Sequence, residues 1–492
     1  MSISFDLIST NLRTHGVFTE FSNARAVSTA PDIPSVALII GQRLAAGTVA
    51  AEVPISVPSA AKGEEYFGHG SILAHMIDYF KAANPYTELW AVALDDDGGG
   101  TAATGTFVFS GTATDDGVVY TYIGGERITT AVSLNDAAAT VGAAVVADIT
   151  AYVAEHNLPI SAAGTSTVTI TCLHKGTLGN YINLAQNLIP GEALPAGITC
   201  VITQVGSVIT GATDPDVADA ITAIGGSWFQ TIISAYADDT NHDKLEAMAL
   251  SWWHPYEQKD TSLFIGAIGN QAALTALGNA RNSQFTVLMG GGLSSSPPWA
   301  WAAVTGAVDA YESDPARPRQ TLTLTGLRAP AQPDIFTQTE RNTLLYDGVS
   351  TFTVGTDGTC YIERLITTYQ TNALGVVDSS YLNQTTMRTL AALRYTWNAW
   401  VALRFPRAKL ADDTANVPTG QSIVQPKTLV SEALAWFRWC ETEKGWVENW
   451  EQFKDDLLIE RDLTDKDRVN MRMSPDLMNQ FRVLAGQIQY LL

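Results

Sequence analysis

Two hydrophobic periods, the alternation of strands and the three-to-four spacing of helices, divide this chain into unlike stretches. Ile3, Phe5 and Leu7 alternate with Ser2, Ser4 and Asp6, and a second strand-like run carrying Val17, Phe18 and Phe21 follows Gly16. Neither run has an obvious hairpin partner nearby, so residues 1–30 read as an arm whose open edges must be met elsewhere, with another chain as one candidate. Residues 31–94 read as the start of an α/β core. They offer a buried strand over 36–40, then a helix over 71–83 with Ile72, Met76, Ile77, Tyr79 and Phe80 on its apolar stripe, then a strand over 89–94.

The pattern changes at Asp95-Asp96-Asp97-Gly98-Gly99-Gly100, and residues 95–212 are rich in Thr, Ala, Gly and Val. Strands are expected over 106–110, 118–123, 167–173 and 198–203, with Asp115-Asp116-Gly117 as a hairpin turn. A helix is expected over 135–156, where Val141, Val145, Ile149 and Val153 recur every four residues. This block reads as an inserted α+β domain.

From 213 to 350 helices alternate with short apolar strands at 231–235, 263–267 and 285–289. That alternation predicts a doubly wound, largely parallel sheet covered on both faces. Residues 351–465 read as an α+β C-terminal domain. It opens with a hairpin over 351–365 and continues with long helices over 379–404 and 428–443. Residues 466–492 read as a second arm: Val469, Met471 and Met473 alternate with Asn470 and Arg472, and alternation returns from 481 to 492 with Val483, Ile488 and Tyr490. A strand is favoured for that last run, although Ser474-Pro475-Asp476 is also a helix-capping sequence.

Charge narrows the function classes. The chain carries 50 acidic residues against 29 basic ones, a formal net charge of -21 over 492 residues. Such a surface repels phosphates and anionic lipid, so direct nucleic acid binding and membrane insertion are not expected. The longest apolar runs fall short of a membrane span. The N-terminus lacks a basic stretch followed by an apolar one, so no signal peptide is expected. Cys172, Cys200, Cys360 and Cys440 form no C-x-x-C pair. Cys172 and Cys200 could meet within one domain, but free thiols in a reducing cytoplasm are the favoured reading.

The patterns that carry chemistry are weak. Phosphate-loop, dinucleotide, zinc-protease and nucleophile-elbow motifs are absent. Three consecutive aspartates do not match a calcium loop, so Asp95–Asp97 read as a solvated linker rather than a cation site. Gly290-Gly291-Gly292 could border a ligand site at a strand's carboxyl end, or simply turn the chain toward Ser294, Ser295 and Ser296. Those serines would need a histidine and a carboxylate nearby to act as nucleophiles. The tryptophans between 436 and 450 could stack on sugars or bases, but helical spacing favours core or interface. No catalytic residue, cofactor or metal is therefore expected.

Four segments carry a resemblance. Ile366-Thr367-Thr368-Tyr369-Gln370, with Asn372, Gly375 and Asp378-Ser379-Ser380-Tyr381-Leu382, resembles the core motif of Mu-like phage tail sheath proteins. Phe405-Pro406-Arg407-Ala408-Lys409-Leu410-Ala411-Asp412-Asp413 is similar to a second family segment, with Phe405 and Ala408 as departures. Asn11-Leu12-Arg13 with Gly16-Val17-Phe18 resembles the N-terminal arm, where His15 replaces a proline. Ser474-Pro475-Asp476-Leu477, Asn479-Gln480 and Arg482-Val483 resemble the closing segment. His174-Lys175-Gly176-Thr177 within the inserted block is also similar to relatives.

The resemblance implies a structural subunit that polymerises as six-fold helical rings around a tail tube. It implies an outward-facing inserted domain, and contraction that drives the tube through the host envelope. Implied partners are further copies of the chain, the tube protein, and the baseplate and tail terminator proteins, in a virion tail assembled in the host cytoplasm. Segments 2–8, 17–21, 469–473 and 482–491 become expected inter-subunit strand donors. The hairpin near 351–365 becomes a possible acceptor. The rival readings are a sheath of a phage-derived injection device, an enzyme on a doubly wound fold, and a rigid tail-tube protein.

Overall fold

The computed structural model describes residues 16, 33, 35–418 and 421–491. Its largest element is a mixed eight-stranded sheet. Along the sheet the order is Cys360–Arg364, Val349–Val354, Thr286–Gly290, Ser262–Ala267, Thr231–Ser234, Val36–Gln42, Glu88–Leu94 and Ile55–Ser56. The six inner strands run parallel, and the two outermost strands run antiparallel to their neighbours. The chain reverses its direction of travel across the sheet at Val36–Gln42. Every residue of Thr231–Ser234, Ser262–Ala267 and Thr286–Gly290 is buried. A strand covered on both faces has no reason to alternate, which is why these segments read as continuous apolar runs.

The helices begin where the sequence supplies caps. Ser71 accepts from the Ala74 amide at the start of Ile72–Ala83, and Asp238 accepts from Asn241 at the start of Asp239–Trp253. Helix Pro298–Tyr311 is buried along almost its whole length and crosses strand Ser262–Ala267 at close range. Gly266 permits that approach, since a Cβ there would lie 2.1 Å from the Pro298 carbonyl oxygen.

After Leu94 the chain leaves this sheet and returns to it at Thr231. Between them stand two smaller antiparallel sheets. One has four strands, in the order Ile198–Thr203, Ala102–Gly111, Thr167–Lys175 and Ile160–Gly164; the other joins Glu126–Val132, Gly117–Ile123 and Leu184–Gln186. Helix Ala138–Glu155 packs on them through buried Val141, Val145 and Ile149. By length and apolarity alone this helix could cross a membrane, which corrects the expectation that no segment reaches that size. Its apolar stripe is taken up by the sheets.

The Asp95–Asp97 tract is not a solvated linker. The Asp96 carboxylate accepts from the Gln42 side chain at 2.7 Å, from the Lys175 amide at 2.9 Å and from His174 Nδ1 at 2.8 Å. His174 Nε2 accepts in turn from the Ile72 amide. Burial opposes ionisation of Asp96, but the hydrogen bonds it accepts from His174, the Lys175 amide and Gln42 outweigh it and hold its pKa below the usual range. The charge cluster is thus a polar joint between the large sheet and the smaller ones.

A second buried network organises the start of the long helix Gln384–Arg404. Asp309, 1% exposed, binds Arg319 Nε at 2.9 Å, Arg388 at 2.6 Å and the Gln384 amide at 3.0 Å. Arg319 also donates to the Asp314 and Arg317 carbonyls. Burial alone would raise the Asp309 pKa, and the two guanidinium groups more than reverse that.

By compactness the chain divides within this helix. Residues 34–389 with 479–492 form one unit, and residues 390–478 belong to the other. The boundary expected at 351 is therefore corrected, because the hairpin Val349–Val354 and Cys360–Arg364 completes the eight-stranded sheet. Within the second unit, aromatic side chains supply the core. Phe437 stacks on Phe453 at 4.0 Å, Trp397 meets Trp436 edge-on at 5.4 Å, and the Trp436 indole donates to Thr396. Arg404 lies 3.7 Å from the Trp400 ring centroid while paired with Glu432. The tryptophan-rich stretch is core.

Two outcomes follow. Asp309→Ala leaves two arginines without their buried counter-charge and should cost about 3–5 kcal/mol, read as a lowered denaturant midpoint. His75 is buried, and that burial lowers its pKa to about 4 while the Trp299 indole donates to its Nδ1. The neutral form is the folded form, so this contribution is complete above pH ~6.5 and is lost as pH falls through ~4, a change of about 3 kcal/mol. In His75→Gln, the denaturation midpoint should depend less on pH across that window; an unchanged pH profile would refute the assignment.

Candidate interaction surfaces

The family-like segment 366–382 is a loop tied down mostly by its own backbone. Thr368, fully buried, donates its amide to the Thr286 carbonyl and exchanges hydrogen bonds with Ser283 through its hydroxyl. Asn282 accepts from the amides of Gln370 and Thr371. The Gln370 side chain reaches the Gly278 carbonyl at 3.2 Å. The Tyr369 hydroxyl donates to Asp378 at 2.6 Å, and its ring meets Tyr381 edge-on at 5.3 Å. Asp378 also accepts from the amide and hydroxyl of Ser380. The Tyr369 bond comes first among the causes that keep its carboxyl below the usual range. These residues fix a turn whose Leu374 and Val377 are each 87% exposed.

Segment 405–413 belongs to the second unit and serves a similar purpose. Lys409–Leu410 pairs in parallel with Ile423–Val424. Lys409 donates to Gln421, and Asp412 accepts from Arg461 at 3.0 Å. Asp413 accepts from the Lys427 amide in the first turn of helix Pro426–Trp439, which begins without a side-chain cap of its own. Pro406 and Arg407 occupy an exposed turn.

The expected strand donors divide three ways. Ile3, Phe5, Leu7, Val17, Phe18 and Phe21 lie outside the described residues. Val469, Met471 and Met473 require a correction: strand Val469–Arg472 pairs antiparallel with Leu458–Arg461 of the same chain, with Ile459 opposite Met471. Met473 follows that strand. The next segment is also met internally, since Asp476–Leu477 pairs with Val447–Glu448. The intervening charged loop, whose Asp462 accepts four hydrogen bonds, closes this hairpin.

The remaining tail behaves differently. Gln480 donates to the Ala316 carbonyl and the Thr385 hydroxyl, Gln320 donates to the Phe481 carbonyl, and Arg482 donates to Asn383. Beyond this point residues 483–491 form neither strand nor helix. Val483 is 82% exposed, Ile488 92% and Tyr490 79%. The tail therefore displays an unusually exposed run of large apolar side chains.

The weaker chemical candidates find ordinary places. A Cβ on Gly291 would meet Trp301 Nε1 at 2.7 Å, so the glycine run lets an indole pack. Ser294 donates to the Arg328 carbonyl and Ser296 accepts from its amide, which makes both serines loop ties. Among the described residues no group of three His, Cys, Asp or Glu is placed to hold a metal. The four cysteines are free thiols.

The marked motifs brace loops and a helix start, which suits a structural protein. The comparisons agree. Residues 210–368 match the phage tail sheath protein central domain and residues 376–490 the phage tail sheath C-terminal domain. The chain is 38% identical over 496 residues to a Mu-like prophage FluMu tail sheath protein of Haemophilus influenzae, with 100% of both chains covered. Among solved structures, a sheath tail protein from Desulfitobacterium hafniense aligns at TM-score 0.47 and 13% identity, over 94% of this chain and 100% of that one. The contracted PVC sheath complex of an extracellular contractile injection system aligns at 0.48 and 8%, over 98% of each. The chain belongs to the Mu-like phage tail sheath family. It is a structural subunit of a contractile phage tail, located in the virion tail, and not an enzyme.

If Asp413 acts as a cap and Arg407 does not brace the fold, their variants should separate. Asp413→Ala should cost about 1 kcal/mol and speed hydrogen exchange in the first turn of helix Pro426–Trp439. Arg407→Ala should leave stability within about 0.5 kcal/mol of the parent. Equal losses would contradict this division of roles.

Proposed function

We propose that copies of this chain join through the tail 483–491 and the N-terminal segments 2–8 and 17–21, each added as a strand to a neighbouring copy. The exposed, alternating apolar tail carries this reading, since its backbone and side chains meet no partner within the described residues. Strand addition supplies backbone hydrogen bonds worth about 1 kcal/mol each net of solvation. A tail held at Gln480–Arg482 and open beyond is a tether with a fixed root. Val469–Arg472 is not included among the proposed donors, since one of its edges already pairs with Leu458–Arg461. The edge strand Cys360–Arg364 is a weaker acceptor than its hairpin pattern implied, because Thr321, Leu322 and Leu324 already bond to it.

In this reading the joined copies build six-fold helical rings around a tail tube, between baseplate and terminator proteins, after assembly in the host cytoplasm. The sheets between Ala102 and Thr203 form a separate inserted part that faces outward. Contraction shortens and widens the array by changing contacts between compact cores while the strand joints persist. A small difference per subunit, summed over a long array, moves the equilibrium.

Deleting residues 483–492 tests the tether. The truncated chain should keep its far-UV circular dichroism and stay monomeric in sedimentation velocity, whereas the full chain is expected to form tubes visible by electron microscopy. Full-length tubes from the truncated chain would overturn the proposal.

A further inference from the structure

A cleft of about 450 Å³ lies at the carboxyl ends of strands Thr231–Ser234 and Ser262–Ala267, and nothing described above occupies it. Its size falls within the small-molecule range, and the carboxyl edge of a parallel sheet is where ligands bind in open α/β folds. One wall comes from Ala235–Asp239 and Gly266–Ile268, and the facing wall from Thr177, Leu178, Tyr181 and Asp214.

Two carboxylates in these walls lack a counter-charge. Asp214 accepts from the amide and hydroxyl of Thr177, and Asp238 from the Asn241 amide and side chain. Neither has an ion-pair partner among the described residues, whereas Asp239 is paired with Arg281. Burial raises the Asp214 pKa against the Thr177 bonds, so the group gains from a cation beside it.

The independent observation is Tyr236. It lines the cleft and is 1% exposed, and its hydroxyl has no hydrogen-bond partner. A buried hydroxyl left unpaired forfeits its hydration with nothing in return. Burial, together with the charges of Asp214, Asp96 and Asp238, pushes the phenol well above its ordinary value. It therefore stays protonated, with its oxygen lone pairs open to a donor.

These walls do not suit an anion. Two helices start here, but the first-turn amides of Asn241 and Ala273 already donate to Asp238 and Asn270. A bare metal suits them little better, since Leu178, Leu274 and Leu277 line the same space. Carboxylates, one open acceptor and apolar walls together describe an ammonium group on a methylene chain.

We propose that this cleft binds a primary alkylammonium ion, with the ammonium between Asp214 and Asp238, an N–H donated to the Tyr236 hydroxyl, and the methylenes against the leucines. Isothermal titration of the full-length chain with n-butylamine at constant ionic strength tests it. One saturable site is expected. Asp214→Asn should weaken binding by about tenfold or more, and Tyr236→Phe by several-fold, as loss of a charge-assisted bond does. Tyr236→Phe removes only an unpartnered oxygen, so it decides alone should Asp214→Asn fail to fold. Magnesium chloride should not displace the amine. Absence of saturable heat in the parent chain, affinity unchanged in Tyr236→Phe, or displacement by magnesium would each overturn the proposal.

Discussion

The Asp309 carboxylate ties together parts of the first unit that the chain holds far apart. Its partners sit on the loop 314–320, through Arg319, and at the start of the long helix, through Gln384 and Arg388. The tail docks on these same parts: Gln480 bonds Ala316 and Thr385, and Phe481 bonds Gln320. A buried carboxylate is tolerated only while its counter-charges stay in place. The order of the loop, the entry of the helix and the root of the tail therefore stand or fall together. For a subunit whose tail is proposed to carry load between copies, a charge-locked root is the physical requirement.

None of this network was legible in the sequence. Asp309 sits in a helix that otherwise reads as uniformly apolar, and its partners lie 10 and 79 residues away. The alternation of helices and buried strands between 213 and 350 was legible, because parallel strands covered on both faces leave unbroken apolar runs. The short strand Ile55–Ser56 lay below what periodicity resolves. Helix Gln338–Tyr346 went unread although Thr337 and Glu340 form a capping box, a spacing that is visible in the sequence. The hairpin of Val469–Arg472 was missed for a subtler reason. Its loop holds Asp462, Asp465 and Asp467 rather than glycine, and turns by accepting backbone amides on aspartate side chains.

The candidate surfaces were legible as motifs and illegible as mechanics. Resemblance marked Tyr369, Gln370, Asp378, Lys409, Asp412 and Asp413, but spacing could not tell contact residues from braces. In the structure they brace: Tyr369 with Asp378 closes a turn, and Asp413 completes a helix that starts at Pro426 without its own cap. The apolar residues that such a turn displays, Leu374 and Val377, were not singled out because exposure is invisible to pattern. Likewise the Asp96 joint looked like a hydrophilic linker, since consecutive aspartates carry no sign of the histidine 78 residues away that binds one of them.

Charge limits how such subunits can hold one another. At -21 per chain, neighbouring copies repel over roughly the ~8 Å screening length of physiological salt. Much of the basic complement is committed inside the fold, with Arg281, Arg319, Arg341, Arg388, Arg404 and Arg461 paired internally. Attraction between copies must then come mostly from short-range terms, backbone hydrogen bonds and apolar contact, which act only once surfaces touch. Strand addition by a tail rooted at Gln480–Arg482 has that character. In the proposed joint its hydrogen bonds would be made to the neighbour's backbone, whatever charges face each other across the cores. A joint of this kind can persist while acidic cores change neighbours, because it depends on the edge it pairs with and not on the register of the charges around it.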